Sequence, residues 1–403
     1  MPGQPLQLQD FQWGWWPLFP LYPFSQRRTL RREVIAGSIW TFDQLQGIFY
    51  VVVPIRMTVV KLDGGGLLVY APVAPTPECV RLVHELVAEH GDVKYIVLPT
   101  ISGLEHKVFV VPFARCFPEA QIWIAPQQWS FPIDLPLSWL GFPRHRTHVL
   151  LRDLQQTPFG DQFEFAILDP IDLGLGRFAE VAWCDRRSRT LLVADSLVSV
   201  PAEPPAILQL DPYPLLFHAR DTASDALEDT PANRRRGWQR IALFALYFQP
   251  SALEVPRWGT VLRNAIKASD RSAKGYFGLF PFQWHPNWQQ SFEALRGNGR
   301  PFVAPVLQAL ILNRAPAETL KWADEVAGWS FDRIVPCHFD APITATPSQF
   351  RQAFAFLERQ PSVSTGLFSS SSYPLPEDDF QVLRNIDRGL SDRGIVPPAR
   401  ERV

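Results

Sequence analysis

Three hydrophobic runs in this 403-residue chain stop at side chains able to ligate a metal or move a proton. VKYIVLP leads to Glu105 and His106, RTLLVA leads to Asp195, and FDRIVPC leads to His338. Two imidazoles with one or two carboxylates suit a single first-row divalent cation, with a position left open for water. Such a cation lowers the pKa of its water toward neutrality and polarises a carbonyl or phosphoryl oxygen. In that chemistry Glu105 and Asp195 are the candidates for proton transfer. Without a metal the same four groups form a hydrogen-bonded cluster, because buried charges persist when paired. The residues alone leave both alternatives open. Lys107, next in sequence, would place a cation beside the cluster in the absence of a metal.

Other polar candidates are weaker. His218, with Arg220 and Asp221 in LLFHARD, would have to reach the cluster from a loop to complete a ligand set. His145 and His148 lie in the Pro-rich segment PRHRTH and read as solvated, and His285 in FQWHPNW reads as packed among aromatics. DGGGLLVY lacks the Lys and Ser/Thr of a phosphate loop, and neither a strand–GxGxxG–helix unit nor a GxSxG elbow occurs.

The elements that must position these residues follow from periodicity. IWTFDQL, GIFYVVVPI, MTVVKL and GLLVYAPV read as strands. PTPECVRLVHELVAEHG reads as a helix capped by Thr76 and stopped by Gly91, with Val80, Val83, Leu86 and Val87 on one face. VKYIVLP is a strand, HKVFVVPFARCFP a short helix and AQIWIAP a strand. EFAILDPIDL, FAEVAWCD and RTLLVADSL add three strands; residues 234–328 read as largely helical; FDRIVPCHF is a last strand before the helix PSQFRQAFAFLERQ. This order predicts a layered α/β sheet with its ligands at the strand ends.

The order strand, GGLLVYAP, helix, VKYIVLP, EH, helix, strand, then EVAW…SRTLLVADS and RIVPCH resembles the metallo-β-lactamase fold over roughly residues 45–200 and 300–345. More narrowly it resembles a cyanobacterial and plastid branch, domain of unknown function family 4336, over most of the chain, including QQWSFPIDLPLSWLGFP and LLFHARD. The resemblance implies a four-layer αβ/βα sandwich. The superfamily motif His-x-His-x-Asp-His falls on Ile101, Ser102, Gly103, Leu104, Glu105 and His106, so both leading histidines are gone and the aspartate has become Glu105. The middle histidine, expected near LGLGRF (residues 173–178), is absent, while the bridging aspartate matches Asp195 and the final histidine matches His338. All the losses thus fall on one metal site. The resemblance leaves two functions: a non-catalytic scaffold, assembly factor or ligand carrier in a phototroph, which the lost histidines favour, or a mononuclear hydrolase using Glu105, His106, Asp195 and His338. The second would take one zinc or another divalent metal ion.

Organisation and composition bound the partners. A Pro- and aromatic-rich arm (1–37), with FQWGWWPLFPLYPF at its centre, precedes a main domain (38–365) that carries a helical insertion at about 205–300. A tail (366–403), expected to be weakly structured, follows the SSSS run. Prolines at 17, 20 and 23 forbid a helix in the arm, so its rings must bury against the domain or against a protein partner or membrane surface. Lys plus Arg (39) balances Asp plus Glu (40), which excludes a cationic field for nucleic acid. Cysteines 79, 116, 184 and 337 form no metal-finger or disulfide pattern. With no signal peptide and no transmembrane run, the expectation is a cytoplasmic, non-secreted protein; the family's distribution adds a peripheral role at photosynthetic (thylakoid) membranes. Oligomeric state stays open.

Overall fold

Leu67 and Val69 point to one side of their strand and Leu68 and Tyr70 to the other, yet all four are fully buried. A strand hydrophobic on both faces needs protein on both faces, and this requirement organises the chain. The computed structural model describes residues 7–13, 22–23, 26–101, 105–130, 134–153, 156–359 and 375–403. The first sheet has seven strands in sequence order: β1 (Leu30–Ile35), β2 (Ile39–Ile48), β3 (Val51–Lys61), β4 (Leu67–Tyr70), β5 (Val93–Leu98), β6 (Gln121–Ile124) and β7 (Thr147–Val149). Strands β4 to β7 run parallel. Helices α1 (Pro77–His90) and α2 (Lys107–Cys116) cross between them. Thr76 caps α1 by accepting from Cys79 N–H, and Gly91 ends it at φ 92°.

The second sheet contains β8 (Phe163–Asp172), β9 (Arg177–Asp185) and β10 (Thr190–Val193). After β10 comes the insertion: α3 (Tyr213–Ala219), α4 (Pro231–Tyr247), the two-residue hairpin strands β11 (Leu253–Glu254) and β12 (Gln283–Trp284) around α5 (Trp258–Ala265), then α6 (Trp288–Arg296) and α7 (Pro305–Leu310). The chain returns through α8 (Pro316–Ala327) to β13 (Arg333–Pro336), which pairs parallel with β10, and β14 (Ile343–Thr344) closes that edge before α9 (Pro347–Gln352).

The side chains show the layers. Val97, Trp183, Leu192 and Val335 fill the space between the sheets. Leu67, Val83 and Phe113 join the first sheet to α1 and α2, while Cys184, Ile334 and Trp322 join the second to α8 and α9. This is the αβ/βα sandwich of the metallo-β-lactamase fold, with the insertion packed against the β2–β3 end of the first sheet through Leu45, Tyr50 and Val52.

Four expectations need correction. GIFYVVVPI is not one strand: Phe49 and Tyr50 take left-handed φ values of 51° and 58° and form a two-residue hairpin turn. Aromatic residues rarely adopt that conformation, so nothing local announces the turn. Tyr50 is held there by ring contacts at 5.1–5.4 Å to Tyr22, Tyr213, Phe217 and Tyr276. The sheet begins at Leu30, inside the span assigned to the arm. The tail forms a helix, α10 (Gln381–Asp392), anchored where buried Asp379 accepts from Ser251 N–H (2.8 Å) and Ser251 Oγ (2.6 Å). Finally β7 and β14 fall where no element was expected. In the arm, Phe11, Trp13 and Tyr22 are buried on the protein's own surface, and Trp13 meets Phe109 edge-on at 5.5 Å. Residues 14–21 and 24–25 of the arm, and the SSSS run, lie outside the described residues.

Candidate functional site

The C-terminal ends of β5, β10 and β13 lie at one edge of the sandwich, where Ile55 bridges to His338 and Thr100 to Glu180 across the two sheets. Their convergence brings Glu105, His106, His338 and Asp195 together. One ligand atom each from Glu105, His106 and His338 lies within 4.8 Å of the others. His338 Nε2 sits 2.9 Å from Glu105 Oε2 and 2.9 Å from Asp195 Oδ1. Glu105 and Asp195 keep side-chain exposures of 37% and 29%, so the carboxylates face an opening while the imidazoles are buried.

Both imidazoles are oriented alike. His106 Nδ1 lies 3.2 Å from the Pro72 carbonyl and His338 Nδ1 3.0 Å from the Pro54 carbonyl. A carbonyl accepts, so each Nδ1 carries the proton and each Nε2 faces the cluster. Metal-bound histidines are commonly fixed in this way by an outer partner. The two rings then differ. His338 Nε2 is shared by two carboxylates, whereas His106 Nε2 is buried with no hydrogen-bond partner among the described residues.

Electrostatics follow the geometry. Burial opposes a charge on His338, but Glu105 and Asp195 together hold its pKa well above the ordinary histidine value. Burial also works to raise the Glu105 carboxyl, yet His338, His106 and Arg27 bring it down to about 2. His106 is pushed below its usual pKa by burial, against the pull of Glu105.

Three further residues support the cluster. Glu180, fully buried in β9, accepts from the N–H groups of Ala194 (2.8 Å), Asp195 (2.9 Å) and Ser196 (2.8 Å) and from Ser196 Oγ (2.8 Å), which fixes the turn that presents Asp195. Burial and the Asp195 charge push its pKa up to about 7, with the four donors pulling the other way. Arg56 donates to Asp43 (2.6 Å) and to the carbonyls of Pro336 (2.7 Å) and Phe339 (2.9 Å), bracketing His338 in the chain. Arg27, from the arm side, is buried and held through Leu45 O and Gln46 Oε1, where its charge acts on Glu105. Sequence reasoning passed over all three. Glu180 carried a usable signal, a lone carboxylate inside the apolar run FAEVAW.

The other candidates lie elsewhere. Lys107 donates to the carbonyls of Ile101 (3.1 Å) and Trp129 (2.5 Å), so it ties a loop rather than supplying the cluster with a cation. His285 is half exposed, not packed. Arg220 lies over the Phe217 and Phe280 rings and Asp221 pairs with Arg240. His218 is fully buried; its Nε2 donates to Phe49 O at 3.0 Å, and burial drives its pKa down to about 3. Its folded pKa is below the unfolded value of about 6.5, so below that pH the unfolded chain binds the proton and the native state does not. The stabilisation is therefore present above pH ~6.5 and lost on acidification, by about 2 kcal/mol at pH ~5. In denaturant titrations at those two pH values, His218→Asn should reduce the acid loss by that amount; an unchanged loss would exclude His218 as its source.

Residues 36–356 match the family described as Domain of unknown function (DUF4336), and the chain belongs to that family. No curated protein matches it. Among solved structures it is similar to the fragment 1–254 of a putative diflavin flavoprotein A 5 from Nostoc sp. PCC 7120 (11% identity, 82% of this chain and 95% of that one, TM-score 0.38). It is also similar to the Flv1 flavodiiron core from Synechocystis sp. PCC6803 (10% identity, 93% and 72%, TM-score 0.42) and to a metallo-β-lactamase from Pontibacter korlensis (12% identity, 47% and 83%, TM-score 0.31).

Proposed function

We propose that this chain is a one-metal protein of the metallo-β-lactamase fold, holding a single divalent cation on Glu105, His106 and His338 with Asp195 beside it, and that it acts as a metal-dependent hydrolase. The observation that carries this reading is the His106 Nε2 atom. Its Nδ1 is anchored on Pro72 O, yet the Nε2 lone pair is buried beside Glu105 and His338 without a partner among the described residues. An orphaned buried acceptor is costly unless a ligand meets it. Two imidazole nitrogens and a carboxylate suit zinc or a neighbouring first-row ion. Bound there, the ion would supply an acidified water and a Lewis acid. The chain's own part is to keep both Nδ1 protons on prolyl carbonyls, to offer Glu105 and Asp195 as proton acceptors at the open side, and to fix Asp195 through Glu180.

A second reading, a metal-free scaffold, assembly factor or ligand carrier, is favoured by a different observation: the His338 imidazolium is shared by two carboxylates, and Arg27 also acts on Glu105. Elemental analysis of protein purified without a metal-chelating tag separates the two. About one divalent ion per chain is expected, with His106→Ala losing more affinity than the roughly 10- to 100-fold that loss of an outer partner costs. No metal in the parent, or equal metal in His106→Ala, would leave the scaffold reading in its place.

A further inference from the structure

The insertion carries large apolar side chains in solvent along one face. Helix α5 turns Val261 and Ala265 inward, but Trp258, Leu262 and Ile266, spaced by four, follow its outer edge, with Trp258 62% and Ile266 72% exposed. The surface continues past the helix. Gly278 lies so close to the end of α5 that an added Cβ would meet Ala265 O at 2.7 Å, and the turn before it holds Tyr276 and Phe277 at left-handed φ values of 50° and 57°. That costly conformation projects Phe277 outward, 69% exposed. Tyr276 meets Phe49 at 4.8 Å, and the hairpin tip adds exposed Ile48 and Phe49.

The charges around this face are mainly cationic. Arg257, Arg263, Lys267, Arg271 and Lys274 are all exposed, and none makes an ion pair among the described residues. The one acidic residue within 255–277, Asp270, accepts from Tyr213 Oη (2.7 Å) and Ser272 N–H (2.8 Å). Elsewhere in the insertion Arg234 and Arg235 are paired with Asp229 and Glu203. A cationic island on a chain with balanced charge calls for an anionic occupant.

We infer that this face docks on an anionic lipid surface. Trp258, Leu262, Ile266 and Phe277 enter the interface while the surrounding Arg and Lys reach the lipid phosphates, as in helices that lie in the plane of a membrane. A second copy fits worse, since a symmetric pair would set the same cations against each other. The apolar groups stand on a helix edge and on turn tips, which suits a deformable bilayer. No helix among the described residues is long and apolar enough to cross one, so the contact is peripheral.

Vesicle co-sedimentation of the full chain tests this, comparing phosphatidylcholine alone with a mixture rich in phosphatidylglycerol. Binding should require the anionic lipid and weaken with salt. The pair Arg263→Glu and Lys267→Glu should raise the lipid needed for half-binding roughly tenfold or more, and Trp258→Ser with Ile266→Ser should abolish binding. These side chains are exposed, so circular dichroism should match the parent. Equal binding to neutral vesicles, binding by the charge variant at parental affinity, or no binding by the parent would each overturn the inference; the last would turn the face over to an acidic protein.

Discussion

Arg56→Ala is expected to destabilise the protein by about 3–5 kcal/mol, the range seen when one partner of a buried ion pair is removed. Arg56 and Asp43 are both nearly inaccessible, and the guanidinium also satisfies two carbonyls on the far sheet. Alanine leaves Asp43 the half-exposed Arg32 at 3.1 Å as its cation among the described residues and leaves Pro336 O and Phe339 O without this donor. Because those carbonyls flank His338, the variant should also bind metal more weakly. Replacing the pair together, Arg56→Met with Asp43→Leu, should recover much of the stability, since an apolar pair of similar volume removes the uncompensated charge. Denaturant titration reads the first effect. A loss within about 1 kcal/mol would show that the clamp does not hold the sheets together.

This clamp marks where the sequence stops being readable. The near-continuous apolar runs GLLVYAP, FAEVAWCD and RTLLVADS identify the strands because each face is buried in its own layer: Leu192 lies between the sheets while Leu191 and Val193 lie under the helices. The convergence of Glu105, His106, Asp195 and His338 was legible for a related reason, since each follows a strand that ends at the same edge. Arg56 was not, because it sits mid-strand in MTVVKL's neighbourhood and its partners are 13 and about 280 residues away. Tertiary contacts likewise set the Phe49–Tyr50 turn. Its backbone is unfavourable for aromatics, and the stabilising rings come from α3 and from residue 276, far along the chain. Local propensity carries no trace of such pairings.

His338→Ala should produce the other large effect, and it separates a working cluster from a coincidence of positions. In the native arrangement one imidazolium serves both Glu105 and Asp195, each at 2.9 Å. Removing it leaves two carboxylates near each other at a partly buried edge, with Arg27 still acting on Glu105. A loss of about 3 kcal/mol is expected in metal-free protein, at the low end for a buried pair because both carboxylates retain some access to water. The cycle with Glu105→Gln is the sharper measurement. Glu105→Gln alone removes an attractive partner of His338. In the His338→Ala background the same change removes a repelled charge, so it should cost little or stabilise. A coupling of about 1–3 kcal/mol follows for residues sharing one network. Additive losses would mean that Glu105 and His338 are neighbours without being partners. If instead the coupling grows when zinc is added, the two residues share the ion as well as the proton, which is what a common metal site requires.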